Sequence, residues 1–275
     1  MEPWPCASDP FDPGAVTTLF VDGWRSEPGP GHLSERANSH LHHVLPAHSF
    51  HTRCFSYQPG GLTYRRDATN SDARVHVPRL ATQLRALADA DTPAVLTLFS
   101  LGSALACIAL ARVLSDPVTH SLLPQVVPRI VIVGPVLFGL EPGYVDAVHQ
   151  ELCDPAHSND WLLPEDPPIL ANLFDADGRC CTDARNGLAR AIDAGTSVTI
   201  IYAESDGVSP YKPGAIRGAR EIALTPDKFR NKTDGIVQHF ELPTPKGPAM
   251  DPLVTELLST ASVLHRGRPR RSPPP

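Results

Sequence analysis

No stretch of this 275-residue chain is long and apolar enough to span a bilayer. Its start, Met1-Glu-Pro-Trp-Pro-Cys6, has neither the basic nor the apolar region of a secretory signal. The expectation is a soluble, cytoplasmic protein with no membrane span. Positive charge is scarce too: 24 Lys and Arg against 30 Asp and Glu leave a formal net charge of −6, which gives no electrostatic footprint for nucleic acid. The one basic cluster, Arg266-Gly-Arg-Pro-Arg-Arg271, lies in a Pro-rich tail, 266–275, expected to be disordered. The 6 cysteines show no repeating spacing and read as free thiols rather than a disulfide framework. Asn231-Lys-Thr233 matches a glycosylation sequon, but without a secretory route it meets no glycosylating enzyme.

Metal and cofactor signals are missing as well. There is no His-Glu-x-x-His and no Cys-x-x-Cys pair, so His40-Leu-His42-His43, with His48 and His51 nearby, reads as a solvated helix end rather than a zinc site. Asp175-Ala-Asp-Gly178 is too short for an EF-hand loop, and no Gly-rich phosphate loop follows a strand. No cofactor and no metal are expected.

What is present is a rhythm. Short apolar, β-branched runs alternate with longer helical or polar stretches, the pattern of βαβ units around a parallel sheet. Val16–Val21, Phe50–Tyr57, Val95–Phe99, Arg129–Val133 and Ser197–Tyr202 read as the first five strands. Two segments compete for a sixth, Arg220–Leu224 and Gly235–Leu242. Residues 73–90 and 103–114 have helical spacing, and Asp251-Pro252 opens a closing helix with Asp as N-cap. The expected architecture is α/β: a mostly parallel sheet of about six strands flanked by helices, in one domain over 15–265 after a flexible lead, 1–14. Residues 139–194 hold little strand signal but several apolar clusters, and read as a helical cap insertion.

Three segments carry chemistry. Ala94-Val-Leu-Thr-Leu-Phe-Ser100-Leu-Gly-Ser103 reads as a strand turning sharply through Ser100 into a small-residue helix, a turn that exposes a serine hydroxyl above a sheet. A serine between strand and helix also serves as a plain N-cap, and Leu98 stands where a glycine is usual in such a turn. The first strand runs into Asp22-Gly23-Trp24, where a glycine lets the backbone approach a reacting carbonyl; an ordinary Gly/Pro-rich turn gives the same letters. The fifth strand ends in Ala203-Glu-Ser-Asp206-Gly-Val-Ser-Pro210, with Asp206 and Glu204 as candidate acids. His239 is the only histidine between Asp206 and Asp251.

Together these resemble the α/β-hydrolase superfamily, in a minimal version like the thioesterases and small acyl hydrolases; His239-Phe-Glu-Leu242 is similar to a His-Phe-Phe-Leu segment of thioesterases that serve polyketide and peptide synthases. The resemblance implies a triad of Ser100, Asp206 and His239, with the histidine on a loop after the last strand. It implies oxyanion donors from Leu101 and from Gly23 or Trp24, and a pocket including Phe99, Leu137, Phe138, Trp161, Leu163 and Phe174. The implied activity is that of a serine hydrolase cleaving a small-molecule carboxylic ester or thioester through an acyl-enzyme. The competing reading is a non-catalytic member of the fold that binds a small apolar ligand or a protein partner.

Overall fold

The computed structural model describes residues 16–23, 50–55, 57, 71–89, 93–144, 169, 172–173, 178–244 and 246–267. In chain order these form β1 (Val16–Val21), β2 (Phe50–Cys54), α1 (Ala73–Asp89), β3 (Ala94–Ser100), α2 (Leu101–Val113), α3 (Pro117–Val126), β4 (Arg129–Pro135), α4 (Arg179–Asp193), β5 (Ser197–Ala203), β6 (Arg220–Leu224), α5 (Gly235–Glu241) and α6 (Met250–Gly267). The strands make one sheet in the order β2-β1-β3-β4-β5-β6, and every neighbouring pair is parallel.

Both faces of the sheet are covered, so its central strands are apolar throughout rather than alternating with polar residues. Leu96 and Leu98 of β3, Ile130 and Ile132 of β4 and Ile200 of β5 point into a core shared with α1, α2, α3 and α4. Val95, Phe99, Val131, Val133 and Ile201 point the other way, onto Leu253, Val254 and Leu257 of α6. The period of two in each strand thus feeds two separate cores.

Helix α2 lies almost wholly buried against this sheet. Its neighbour α4 comes so close that a Cβ on Gly187 would stand 1.8 Å from the carbonyl oxygen of Cys107. The stretch 139–194, read as a cap, therefore ends in a helix that flanks the sheet as the crossover between β4 and β5. Ile169 and Leu173 are buried in the same core. Trp161, Leu162, Leu163 and Phe174 lie outside the described residues, as do Trp24, the histidines at 40–48 and the expected lead; of the tail expected to be disordered, Arg266 and Gly267 instead end α6, and 268–275 lie outside the described residues.

Three further expectations are corrected. The second strand stops at Cys54 rather than Tyr57. Residues 235–241, read as strand or loop, form α5: Asp234 caps it, its carboxylate accepting from the N–H groups of Ile236 and Val237. Gln238 and His239 are buried while Val237 and Phe240 are exposed, a helical rather than an alternating pattern. The closing helix begins at Met250, which places Asp251 inside its first turn. Helix α3 was not anticipated, although Asp116 followed by Pro117 is a capping signal, and its carboxylate does accept from Val118 and Thr119. Among the described residues no helix is long and apolar enough to cross a membrane.

Candidate active site

Ser100 closes β3 and precedes α2. Its backbone has φ 49° and ψ −124°, and it is the only described non-glycine residue with positive φ. That conformation is costly for an L-residue, so it persists only where surrounding structure imposes it. The imposing contacts are visible. The register of β3 against β4 shifts between Phe99 and Ser100, bringing Ser100 opposite Pro135. The Ser103 hydroxyl donates to the Ser100 carbonyl at 2.6 Å and accepts from the Val136 N–H at 2.9 Å, tying the turn to the end of β4. The Ser100 side chain makes no capping bond to its own helix, so the plain N-cap reading fails.

Two glycines give the turn room. A Cβ on Gly102 would stand 2.0 Å from the Val21 carbonyl oxygen and 2.6 Å from that of Asp22, so the start of α2 rests directly on the end of β1. A Cβ on Gly23 would meet Ser100 Cβ at 3.0 Å and the Phe99 ring at 3.2 Å, which puts the Gly23 backbone against the serine. Leu98, the departure from the usual turn, is fully buried in the helix-side core and does not obstruct it.

The Asp206 carboxylate is held by three donors. Its Oδ1 accepts from the N–H groups of Val208 at 2.8 Å and Ser209 at 3.0 Å, and its Oδ2 lies 2.7 Å from His239 Nδ1. The other imidazole nitrogen, Nε2, lies 3.0 Å from Ser100 Oγ. Because a carboxylate accepts, Nδ1 carries the proton, and in the neutral ring Nε2 is left to accept from the serine hydroxyl. His239 is fully buried and Asp206 nearly so, and the Phe99 ring stacks on the imidazole at 5.5 Å. Glu204, the other candidate acid, is exposed.

Sequence reasoning missed how the histidine reaches the serine from a helix. A Cβ on Gly235 would fall 2.1 Å from the Ser205 carbonyl oxygen, and one on Gly207 2.8 Å from the Ile236 nitrogen. The two glycines let the first turn of α5 dock on the acid turn, and His239 follows one turn later. Gly134, at φ +56°, clears the ring: a Cβ there would meet His239 Cε1 at 3.1 Å. Of the expected pocket residues, Leu137 is wholly buried in the core. Phe138 is half-buried, edge-on to Tyr211 and beneath the Arg185 guanidinium at 5.2 Å. Among the described residues no group of three His, Cys, Asp or Glu could hold a metal ion.

No protein-family model matches the sequence, and no curated protein matches it. Solved structures similar to the chain include a soluble variant of monoglyceride lipase from Saccharomyces cerevisiae, 11% identical over 90% of this chain and 87% of that one, with a TM-score of 0.49. A haloalkane dehalogenase loop variant from Bradyrhizobium elkanii is 13% identical over 91% and 92%, with a TM-score of 0.49. The type II thioesterase BorB of the borrelidin biosynthetic cluster is 14% identical over 92% and 95%, with a TM-score of 0.46. It is on its own topology, six parallel strands with the strained serine turn ending the third, that the chain takes its place in the α/β-hydrolase fold.

Proposed function

We propose that the chain is a serine hydrolase that cleaves a carboxylic ester or thioester through an acyl-enzyme. The observation that carries this reading is the continuous line from Asp206 Oδ2 to His239 Nδ1 at 2.7 Å and from His239 Nε2 to Ser100 Oγ at 3.0 Å. Both distances are within the reach a general base needs. In the proposed cycle Nε2 removes the serine proton as Oγ attacks the carbonyl carbon, and Asp206 stabilises the imidazolium without taking its proton. The Leu101 N–H at the start of α2 and an N–H from Gly23 or Trp24 meet the oxyanion. His239 returns the proton to the leaving alcohol or thiol, and water, activated by the same nitrogen, releases the acid. No metal or cofactor enters these steps.

The apolar clusters read from the sequence within 139–194 give this reading its substrate preference, acyl chains longer than acetyl. A binding-only member of the fold would be favoured by an obstructed serine turn or by a histidine out of reach of the serine. Leu98 is buried away from the turn and His239 lies within reach of Ser100, so neither favours it. Turnover of a series of p-nitrophenyl esters and acyl thioesters tests the proposal. The wild type hydrolyses at least one class; Ser100→Ala lowers kcat by roughly 10⁶ and Asp206→Asn by roughly 10⁴. Turnover unchanged in Ser100→Ala removes that serine from the reaction.

A further inference from the structure

The proposed mechanism asks for a backbone donor at the end of β1, and a backbone donor is useful only if its peptide plane is held. We infer that Tyr57 is the positioning residue that holds it, through a hydrogen bond to the far side of the same peptide. This rests on the hydrolase reading above. The Tyr57 hydroxyl donates to the carbonyl oxygen of Asp22 at 2.5 Å. In a trans peptide the C=O of one residue and the N–H of the next point in opposite directions. Anchoring the Asp22 carbonyl therefore fixes the direction of the Gly23 N–H.

The anchor is rigid on every side that the structure describes. Tyr57 is buried, and its ring meets Phe55 edge-on at 5.2 Å and His76 edge-on at 5.1 Å. Its own carbonyl accepts from Arg79 Nη1 at 2.9 Å, and the Arg79 guanidinium lies 5.3 Å above the Phe55 ring. On its other side the Asp22 carbonyl is confined by the start of α2, where Gly102 has no room for a Cβ. Gly23 in turn lies against Ser100. A hydroxyl donating to the carbonyl also polarises the peptide and strengthens its N–H as a donor. The hydroxyl thus acts on the oxyanion through the Asp22–Gly23 peptide without touching substrate.

The test is the second-order rate at which a fluorophosphonate labels Ser100, read together with kcat and KM for an ester, in wild type, Tyr57→Phe and His76→Phe. Losing one direct oxyanion donor costs 10²–10³ in rate, so losing its anchor is expected to cost about tenfold to thirtyfold. That loss falls on labelling and kcat, with KM and the midpoint of the kcat pH profile unchanged, because the oxyanion forms only in the transition state. His76→Phe disturbs the same aromatic cluster without removing the hydroxyl and leaves labelling at the wild-type rate. If Tyr57→Phe does not fold, 4-methylphenylalanine at position 57 fills the volume of tyrosine without the donor and carries the same expectation. Labelling of either Tyr57 variant at the wild-type rate overturns the inference, as does an equal loss in His76→Phe. A wild type that is not labelled at all overturns the hydrolase reading instead, and the inference with it.

Discussion

At the scale of single residues, the strained turn at Ser100 was legible because strand, serine and small-residue helix follow one another directly in the sequence. What could not be read was the backbone that tolerates Leu98 in place of glycine: that depends on which core Leu98 enters, a property of strand pairing rather than of the turn. The turn that holds the Asp206 carboxylate is local for a different reason, since its N–H donors are only two and three residues away. His76 was silent in the sequence and has a consequence for stability. Its ring is buried, and among the described residues neither nitrogen has a hydrogen-bond partner. Burial, with the nearby Arg79 adding to it, holds its pKa down to about 4 from the ordinary 6.5. The unfolded chain therefore takes up this proton near pH 6.5 and the folded chain only near pH 4, so the histidine costs nothing above pH 6.5 and destabilises progressively as pH falls through that window. The slope is up to about 1.4 kcal/mol per pH unit. Urea unfolding at pH 7 and pH 5 is expected to show His76→Phe losing about 2 kcal/mol less than wild type over that interval. Parallel losses in the two proteins would remove His76 as the source.

Elements are where the sequence reading went astray, and α5 shows why. Gly235-Ile-Val-Gln-His-Phe-Glu241 begins with glycine and two β-branched residues, which are poor helix formers, and a seven-residue segment gives too few turns for periodicity to decide. What decides instead is the local Asp234 cap together with a tertiary contact, the glycine-to-glycine docking of α5 on the turn that carries Asp206. Helix α4 was overlooked for a related reason: its buried stripe, Cys181, Ala184, Gly187, Leu188 and Ala191, is made mostly of small residues that hydropathy underweights. The docking of α5 makes a sharp prediction. In Gly235→Ala the new methyl group meets backbone rather than a movable side chain, so α5 must shift and carry His239 with it. A misplacement of about 1 Å can cost roughly 10² in rate, so kcat is expected to fall about a hundredfold while circular dichroism stays that of the wild type. Full activity in this variant would mean that His239 is not held through α5.

Over the whole molecule, the all-parallel sheet puts the C-terminal ends of β3, β4 and β5 on one edge, where Ser100, Gly134 and the Asp206 turn meet. At the opposite edge the described residues form a buried ion-pair cluster. There Glu256 of α6, nearly fully buried, pairs with Arg129 at the start of β4 and Arg220 at the start of β6, and accepts from the Thr199 hydroxyl at 3.1 Å. One carboxylate thus clamps the closing helix to three adjacent strands. Glu256→Ala strands the half-buried Arg129 charge and is expected to cost about 3 kcal/mol in denaturant unfolding. Arg220→Ala removes a partner that is 65% exposed and is expected to cost under about 1 kcal/mol; equal costs would contradict the clamp. Fold class follows from the alternation of strands and helices, whereas the strand order and a clamp between residues 129, 220 and 256 have no local signature. The central claim is that Ser100 is an activated nucleophile, and the most direct measurement is the intact mass of the purified chain after a fluorophosphonate, followed by peptide mapping. The account predicts a single adduct on Ser100, absent when His239 is replaced by alanine; no adduct, or one on another residue with Ser100 unmodified, would contradict it.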